Sequence, residues 1–296
     1  MKYDLVSIGS ITRDIFLLTD RGKIFKTPQD KLAPEWLGFE LGEKICVEEI
    51  VENPGGVATN LSRGTRRLGL NSAPLGPSQA GTSVIIIDKK AGERVIFYEK
   101  SSGHINLERL KKMKTSWLSV SSLTGNWKRE ADIILTYIKQ NKAKLIVALS
   151  TSMIREGHKN LKRLLSQSEI IFLNKNEAIE IVSKSGNRSG NKNYFLNYLL
   201  KYLHSLGPKI VCLTDGTKGA WASNGQKIYH SPIKKVKTVD VTGAGDAFAS
   251  GFLGFYLKDA SLQKSLKAGI ANSASVVRYV GTTKGLLADK SRALVK

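Results

Sequence analysis

The residues whose types and spacing could support catalysis most directly lie at positions 240–248, which read Asp-Val-Thr-Gly-Ala-Gly-Asp-Ala-Phe. Gly243, Ala244 and Gly245 are small enough to let a ligand touch the main chain, and the apolar spacing after Asp246 predicts a helix that begins there. A glycine-rich turn at a helix start offers unpaired N–H groups and the positive end of the helix dipole to anions. A carboxylate beside that anion site is expected to accept the proton of a hydroxyl that attacks a phosphate. We therefore predict phosphoryl transfer, with Asp246 as the base and the glycine-rich turn as the anion hole.

The same pattern alone would also fit a turn whose aspartate only caps a helix. However, the stretch resembles the GAGD signature of the ribokinase-like (PfkB) carbohydrate kinases, which usually reads D-T-T-G-A-G-D-x-F and differs here only at Val241. The resemblance implies ATP and Mg²⁺ as cofactors. It also makes K⁺ a candidate cofactor, with Asp240 as a candidate ligand of that monovalent cation.

The composition is that of a globular chain with a strong positive charge. Its 296 residues include 46 Lys and Arg against 25 Asp and Glu, which gives a formal net charge of +21. The basic residues are scattered and form no dense stripe with aromatic residues, so we expect them to attract anionic nucleotides and do not expect a nucleic-acid partner. No apolar run approaches the roughly 18 residues of a membrane span. Because Cys46 and Cys212 are also isolated from each other in the sequence, we expect a cytoplasmic protein without a membrane partner.

Two motifs in the first 60 residues predict the site for the phosphoryl acceptor. Asp14 follows an apolar strand predicted at residues 3–8, at the strand end where α/β proteins bind ligands, although a turn aspartate would look the same. Gly55 and Gly56 allow close approach to the main chain, and Asn60, at the start of the next predicted helix, offers a donor and an acceptor to vicinal hydroxyls. A plain glycine-rich helix start would look similar. These residues resemble the G-x-x-x-x-D and G-G-x-x-x-N motifs of the family, which implies that all four bind the sugar.

The segments at residues 15–52 and 84–100 contain short alternating runs that predict strands, including one at 44–48 and a hairpin at 84–98. In the family such strands form a lid that keeps water from competing as phosphoryl acceptor. They also often pair between subunits, which makes a homodimer through the lid strands a candidate assembly. After Leu75, a strand-helix unit of roughly 30 residues in the family pattern is missing. We predict that residues 76–83 lead directly into the lid and leave an exposed sheet edge or apolar groove, which favours dimerisation or a marginally stable monomer.

Strands and helices alternate from residue 117 to residue 173, which argues for a doubly wound parallel sheet. Asn174 and Glu177 then fit an ordinary helix cap. They also resemble the N-x-x-E motif of the family, in which the Glu organises Mg²⁺, usually through water. The turn at 214–219 resembles the T-x-G-x-x-G motif, and a small-residue helix predicted at 268–280 with its following loop resembles the frame of the adenine site. The resemblance thus implies a nucleotide site at Asn174, Thr214, Gly216, Gly219, Asn272 and Gly281.

We therefore predict an α/β fold with a doubly wound, mainly parallel sheet flanked by helices, as one ribokinase-like kinase domain over residues 1–296 with a small β lid. The predicted reaction is ATP-dependent phosphoryl transfer to a hydroxyl, preferably a primary one, of a sugar or sugar-like small molecule. A nucleoside kinase of the same family is the first alternative. The second is a degenerate protein that binds sugar or nucleotide without turnover. The sequence does not identify the acceptor.

Overall fold

The fold is taken from a computed structural model that describes residues 2–27, 29, 35–90, 92–99, 105–123, 127–149, 153–154, 158–184 and 196–289. In these residues the strands form an eight-stranded sheet, a four-stranded sheet and a separate two-stranded hairpin. The strands, numbered in chain order, are β1 Lys2–Ile8, β2 Thr12–Thr19, β3 Lys23–Lys26, β4 Glu35–Gly38, β5 Glu49–Gly55, β6 Ser72–Leu75, β7 Gly81–Asp88, β8 Glu93–Tyr98, β9 Lys114–Val120, β10 Lys144–Ala148, β11 Ser168–Asn174, β12 Ile210–Thr214, β13 Ala220–Ser223 and β14 Ile228–Ser231.

The large sheet has the strand order β14-β13-β12-β11-β10-β9-β1-β6. All neighbouring pairs from β12 to β6 are parallel, whereas β13 and β14 pair antiparallel at one edge. The central strands are apolar on both sides because helices cover both faces of the sheet, as expected for parallel strands in α/β proteins. The structure thus confirms the predicted doubly wound, mainly parallel sheet.

The helices divide between the two faces of this sheet. In chain order they are α1 Val57–Arg67, α2 Leu107–Lys112, α3 Trp127–Asn141, α4 His158–Leu165, α5 Lys175–Ser183, α6 Leu196–Ser205, α7 Ala244–Tyr256 and α8 Leu262–Val276. One apolar core contains buried side chains of α1, α7 and α8, and the other contains those of α3 to α6. Successive side chains of β1 point to opposite faces of the sheet, so Leu5 packs in the first core and Val6 in the second. None of the described helices has the length and hydropathy of a membrane span.

The four-stranded sheet, here called the lid sheet, has the strand order β5-β2-β7-β8. It contains the predicted hairpin, because β7 and β8 pair antiparallel, and β2 runs parallel to β7. Its inner face buries Phe16, Leu18, Ile85 and Ile87, against which Val280 of the main body packs. Residues of the predicted acceptor site on β2 and β5 are therefore carried by a sheet that rests on the main body.

Two boundaries differ from the sequence prediction. The strand expected at 44–48 is irregular, and β5 starts only at Glu49. The helix expected at 268–280 starts at Leu262 and ends at Val276, because the Ser261 side chain accepts a hydrogen bond from Lys264 N and so caps an earlier start. The small residues from which the helix was predicted occur in the part of α8 that packs closely against α7.

The connection after Leu75 is direct, as predicted, because β6 is the edge strand of the large sheet and the next strand, β7, belongs to the lid sheet. The predicted exposed edge is wrong. Ala73 and Leu75 are buried in the apolar core together with Leu110 of α2. The guanidinium of Arg66 donates to the carbonyl of Ser72, and Pro74 has no N–H to offer a partner strand. The edge is thus covered within the chain itself.

Candidate active site

The start of α7 carries the predicted base. Gly243 is the N-cap, with a φ of 75° in the left-handed region that favours glycine. The amide of Ala244 is bonded to the carbonyl of Val241. The amides of Gly245 and Asp246 have no hydrogen-bond partner among the described residues, as expected in the first turn of a helix. The amide of Gly243 likewise has no partner among these residues, so Ala244 is the residue of the glycine-rich turn whose amide is committed to the chain.

Asp246 is held by a residue from the opposite part of the chain. Asn60 Nδ2 donates to Asp246 Oδ2 at 2.8 Å, and Thr282 Oγ1 donates to Asn60 Oδ1 at 2.9 Å. Asn60 is only 5% exposed. Asn60 was predicted to bind the acceptor, and in the structure its amide is shared between the Asp246 carboxylate and the Thr282 hydroxyl. One N–H of the amide remains for a ligand.

Burial places the pKa of the Asp246 carboxyl above the usual range of an aspartate. Removal from water raises its pKa from 3.8 to about 6, while the Asn60 hydrogen bond lowers it and the nearby Asp14 carboxylate raises it. A carboxyl with this pKa is ionised at neutral pH and is still basic enough to take up a proton during turnover.

Asp14 lies close enough to Asp246 for the two carboxylates to interact electrostatically. It lies on β2 and is 5% exposed, and its Oδ1 accepts a hydrogen bond of 2.7 Å from Thr12 Oγ1. Burial raises its pKa, and hydrogen bonds from Thr12 and Ser83 lower it. A Cβ atom at Gly55, on the neighbouring strand, would collide with the Asp14 carboxylate. The glycine at position 55 thus makes room for the carboxylate, and its predicted contact with the acceptor stays a prediction.

Gly56 is the N-cap of α1, with a φ of 85°. The amides of Val57 and Ala58 are bonded to the hydroxyl and the carbonyl of Ser10, at 3.1 and 3.2 Å. The start of α1 is therefore already satisfied by the β1–β2 turn. Close packing against that turn explains the glycine at position 56, and its predicted contact with the acceptor stays a prediction.

A cavity of about 350 Å³ lies along the carboxyl ends of β9 to β12. It brings together five of the predicted site residues: Asn174, Glu177, Thr214, Gly245 and Asp246. Gly245 and the predicted base Asp246 thus share one cavity with the predicted nucleotide and metal residues, although these segments are far apart in the sequence. The cavity wall also includes Val57 and Leu61 of α1.

Asn174 and Glu177 form a complete capping box at the start of α5. Asn174 Oδ1 accepts from Glu177 N at 2.9 Å, and Glu177 Oε2 accepts from Asn174 N at 2.8 Å. The same two residues therefore cap the helix and line the cavity, so the helix cap does not exclude a functional role. Burial raises the pKa of Glu177, the Asn174 amide lowers it and Glu180 raises it.

No group of three or more metal-ligating side chains occurs in the described residues. A carboxylate oxygen of Glu177 fits a Mg²⁺ ion that keeps several waters and is held mainly by phosphate oxygens. Such a site needs only one or two protein ligands, so the donor set of this cavity is compatible with Mg²⁺.

The predicted nucleotide turn follows β12. Thr214 lines the cavity, whereas Gly216 and Gly219 do not belong to its wall. Gly219 has a φ of 89°, and a Cβ atom there would collide with the carbonyl of Ser231 on β14. The second glycine of the motif thus serves the packing of the edge hairpin, while Gly216 stays a predicted nucleotide residue.

The prediction that Asn272 binds the nucleotide is contradicted by its position. The residue is fully buried in α8, and its Nδ2 donates to the carbonyl of Ala247 at 2.7 Å and to Ser250 Oγ at 3.1 Å. Its Oδ1 accepts from Leu287 N at 2.8 Å. Because its amide is committed on both sides, Asn272 joins α7, α8 and the following segment and cannot reach a ligand.

Asp240 clamps two loops together. Its Oδ1 accepts from Thr242 N at 2.8 Å, and its Oδ2 accepts from Gly281 N at 3.1 Å. It is 3% exposed. The predicted nucleotide residue Gly281 is thus fixed against the glycine-rich turn before α7. The predicted K⁺ role of Asp240 stays a prediction, beside this structural one.

Several residues of the site were not predicted from the sequence. Ser119, Ser121 and Ser122 lie where β9 ends and line the cavity wall, and Ser83 bonds Asp14 across the lid sheet. Serines just after an apolar strand could have suggested the first three. Nothing local marks Ser83, whose contact arises from the pairing of β2 with β7.

Comparisons with known proteins agree on the class. A family model described as pfkB family carbohydrate kinase matches residues 77–289. The chain is 29% identical over 301 residues to an ATP-dependent 6-phosphofructokinase of Thermoanaerobacterium thermosaccharolyticum, covering 95% of this chain and 89% of the relative. It is 32% identical over 123 residues to a cytidine kinase of Thermococcus kodakarensis, covering 41% of each chain. The structure of Arabidopsis thaliana ribokinase with ribose and ATP matches 100% of this chain and 99% of its own, with a TM-score of 0.72 and 16% identity.

The structural neighbours show a ribokinase-like α/β fold. The family match and the kinase relatives indicate a phosphotransferase. The chain belongs to the pfkB family of carbohydrate kinases, a family that uses ATP. Within that family it is a sugar or nucleoside kinase.

Proposed function

We propose that this kinase transfers the γ-phosphoryl group of ATP to a hydroxyl group, preferably a primary one, of a sugar or sugar-like small molecule. The observation that carries the proposal is the start of α7, where the Asp246 carboxylate stands beside the unpaired amides of Gly245 and Asp246 itself. A base next to an anion-stabilising turn is the pairing that phosphoryl transfer to a hydroxyl requires.

Asp246 has one oxygen occupied by Asn60 and the other, Oδ1, without a hydrogen bond in the described part of the chain. Oδ1 accepts the proton of the acceptor hydroxyl while the oxygen of that hydroxyl attacks the γ-phosphorus. The bond from the γ-phosphorus to the bridging oxygen breaks, and ADP leaves. The amides of Gly245 and Asp246 stabilise the charge on the transferred group.

The two sides of the cleft have different proposed roles. Asp14, Gly55, Gly56 and Asn60 hold the acceptor, since the Asp14 carboxylate accepts hydrogen bonds from its hydroxyls. Asn174, Thr214, Gly216 and Gly281 contact the nucleotide, and Glu177 holds Mg²⁺ through water. We assign the activity to the cytoplasm, in keeping with ATP as substrate and with the free thiols of Cys46 and Cys212.

A nucleoside acceptor is the alternative within the family, and the similarity to a cytidine kinase favours it. The degenerate, non-catalytic alternative is opposed by the geometry, because Asp246 and Glu177 line one cavity together with the open first turn of α7. These alternatives predict different results in one experiment.

The test is a screen of ADP formation from ATP and Mg²⁺ across pentoses, hexoses, sugar phosphates and nucleosides. We expect one acceptor class to stimulate ADP release, and Asp246→Asn, assayed in parallel, to abolish that stimulation. A nucleoside as the best acceptor would support the alternative. Binding of nucleotide and sugar without any acceptor-dependent ADP release would contradict the proposal and favour the degenerate protein.

A further inference from the structure

Three separate segments meet at the base. Asn60 comes from α1, Asp246 from the first turn of α7, and Thr282 from the segment that follows α8. The two hydrogen bonds that connect them measure 2.9 Å from Thr282 Oγ1 to Asn60 Oδ1 and 2.8 Å from Asn60 Nδ2 to Asp246 Oδ2. Thr282 is 3% exposed and Asn60 5%, so water does not compete for either bond.

The direction of both bonds follows from the chemistry of the groups. An ionised carboxylate only accepts hydrogen bonds, so the amide nitrogen of Asn60 must face Asp246. The amide oxygen then faces Thr282, whose hydroxyl must donate. A rotated amide would place its oxygen against the carboxylate and its nitrogen against the hydroxyl. The Thr282 hydroxyl therefore favours the amide orientation that serves an ionised base.

The side chain of Thr282 also contacts the anion-binding turn. A Cβ atom at Gly243 would lie 2.8 Å from Thr282 Cβ, so the threonine packs directly against the N-cap of α7. The preceding residue, Gly281, is fixed by its amide to Asp240 Oδ2, and Asp240 also holds Thr242 N. Thr282 is thus held firmly in a position where it touches both the turn and the partner of the base.

We propose that Thr282 is a positioning residue of this kinase, which acts through Asn60 to keep Asp246 Oδ2 occupied and Oδ1 directed at the acceptor hydroxyl. The proposal rests on the proposed role of Asp246 as base. Thr282 itself touches neither acceptor nor nucleotide in this scheme. Its hydroxyl sets the orientation of the Asn60 amide, and the amide sets the orientation of the carboxylate.

Two substitutions separate the hydroxyl from the packing. Thr282→Val keeps the branched shape and removes the hydroxyl, whereas Thr282→Ser keeps the hydroxyl and removes the methyl group. We expect Thr282→Val to lower kcat about tenfold, the effect of one lost hydrogen bond of roughly 1.4 kcal/mol, with a much smaller change in the KM for ATP. Thr282→Ser should retain most of the activity. Thr136→Val, the same replacement at an exposed position of α3, is the control.

A second readout does not depend on the acceptor. The carboxyl of Asp246 can be titrated by ¹³C NMR, with its signal assigned by its loss in Asp246→Asn. Asp14 and Glu177 are two other carboxylates of the predicted site, and their signals serve as internal references. Because a weakened Asn60 bond favours the protonated acid, we expect Thr282→Val to shift the Asp246 titration to higher pH and Thr282→Ser to leave it in place.

The outcomes distinguish this inference from the proposed function. If Asp246→Asn is inactive but folded Thr282→Val matches the parent in kcat and titration, the positioning role is overturned and the base remains. An equal loss in Thr282→Val and Thr282→Ser would assign the effect to packing and would also overturn the role. If Asp246→Asn keeps its activity, the proposed function itself fails. Melting curves by circular dichroism identify any variant that fails to fold, and the serine variant then carries the test.

Discussion

Asn60 Nδ2 lies 2.8 Å from Asp246 Oδ2, and the two residues are 186 positions apart in the chain. This bond joins the start of α1, which follows β5 of the lid sheet, to the start of α7 after the glycine-rich turn. A residue of the acceptor motif therefore also controls the carboxylate that is proposed to deprotonate the acceptor. We therefore expect binding of the acceptor and activation of its hydroxyl to be coupled at this amide.

We predict that Asp246→Asn lowers turnover by a factor of about 10² or more, because a positioned base is lost. The shape of the side chain is retained, and Asn60 can still donate to its oxygen, so fold and ATP affinity should be preserved. Acceptor-dependent ADP release and calorimetric ATP binding measure the two quantities. Asp132→Asn on the surface of α3 is the control. Turnover within threefold of the parent would remove Asp246 from this role.

The activity of the parent should rise with pH on its acid side. The pKa of Asp246 is raised to about 6 by its removal from water, and only the ionised carboxylate can accept a proton. We therefore expect kcat/KM to increase through about pH 6 and to level off above pH 7, measured at constant ionic strength with saturating ATP and Mg²⁺. A profile that still falls steeply between pH 8 and pH 7 or is flat down to pH 4.5 would contradict the assignment.

The same carboxyl should make the stability of the fold decrease with pH, whereas the activity increases. Since its pKa rises from 3.8 in the unfolded chain to about 6, the folded protein binds the proton more tightly, and stability falls as pH increases between these values. Above pH 6 the ionised carboxylate lowers the free energy of unfolding by up to about 3 kcal/mol, at 1.36 kcal/mol per pKa unit. Asp246→Asn should thus melt at a higher temperature than the parent at pH 8, with the difference vanishing near pH 4. Equal melting temperatures at pH 8 would refute this.

The sequence predicted what depends on local pattern. The alternation of strands and helices predicted the parallel sheet, and the glycine-rich turn predicted the start of α7. It did not predict contacts made by side chains from distant segments. Asn272 resembled a ligand residue because a helix of small residues looks the same whether it borders a nucleotide or another helix. The bond from Ser83 to Asp14 depends on strand register, and the bond from Thr282 to Asn60 depends on the packing of three segments.

Asp14→Ala should weaken binding of the acceptor and leave binding of the nucleotide unchanged. Asp14 is carried by the lid sheet, whereas the predicted nucleotide residues line the ends of β11 and β12. Each hydrogen bond from a hydroxyl to this charged group is worth roughly 1.5–3 kcal/mol, so two bonds correspond to a loss of at least a hundredfold in acceptor affinity. Calorimetry with each ligand separates the two sites. Asp20→Ala, directly after β2, is the matched control, and a loss on the ATP side would overturn the assignment.

The apolar outer face of the lid sheet indicates how two copies of the chain would form a dimer. Strand register places Ile15 and Leu17 of β2 on one face with a further set of apolar side chains from the neighbouring strands, Ile50, Val84, Ile86, Val95 and Phe97. Ile50 is 62% exposed and Phe97 59%. Apolar faces of this kind favour association, and the edge at β6 is already covered within the chain. We therefore expect a dimer that buries this outer face.

Sedimentation velocity at micromolar concentration should show the parent as a dimer and Phe97→Asp as a monomer, because a carboxylate in an apolar interface would lose its hydration without gaining a partner. Ile228→Asp places the same charge on β14, where Ile228 is 46% exposed at the edge of the other sheet, and should leave the dimer intact. A monomeric parent would exclude the dimer. A dimer that persists in Phe97→Asp and dissociates in Ile228→Asp would place the interface at the β14 edge of the large sheet.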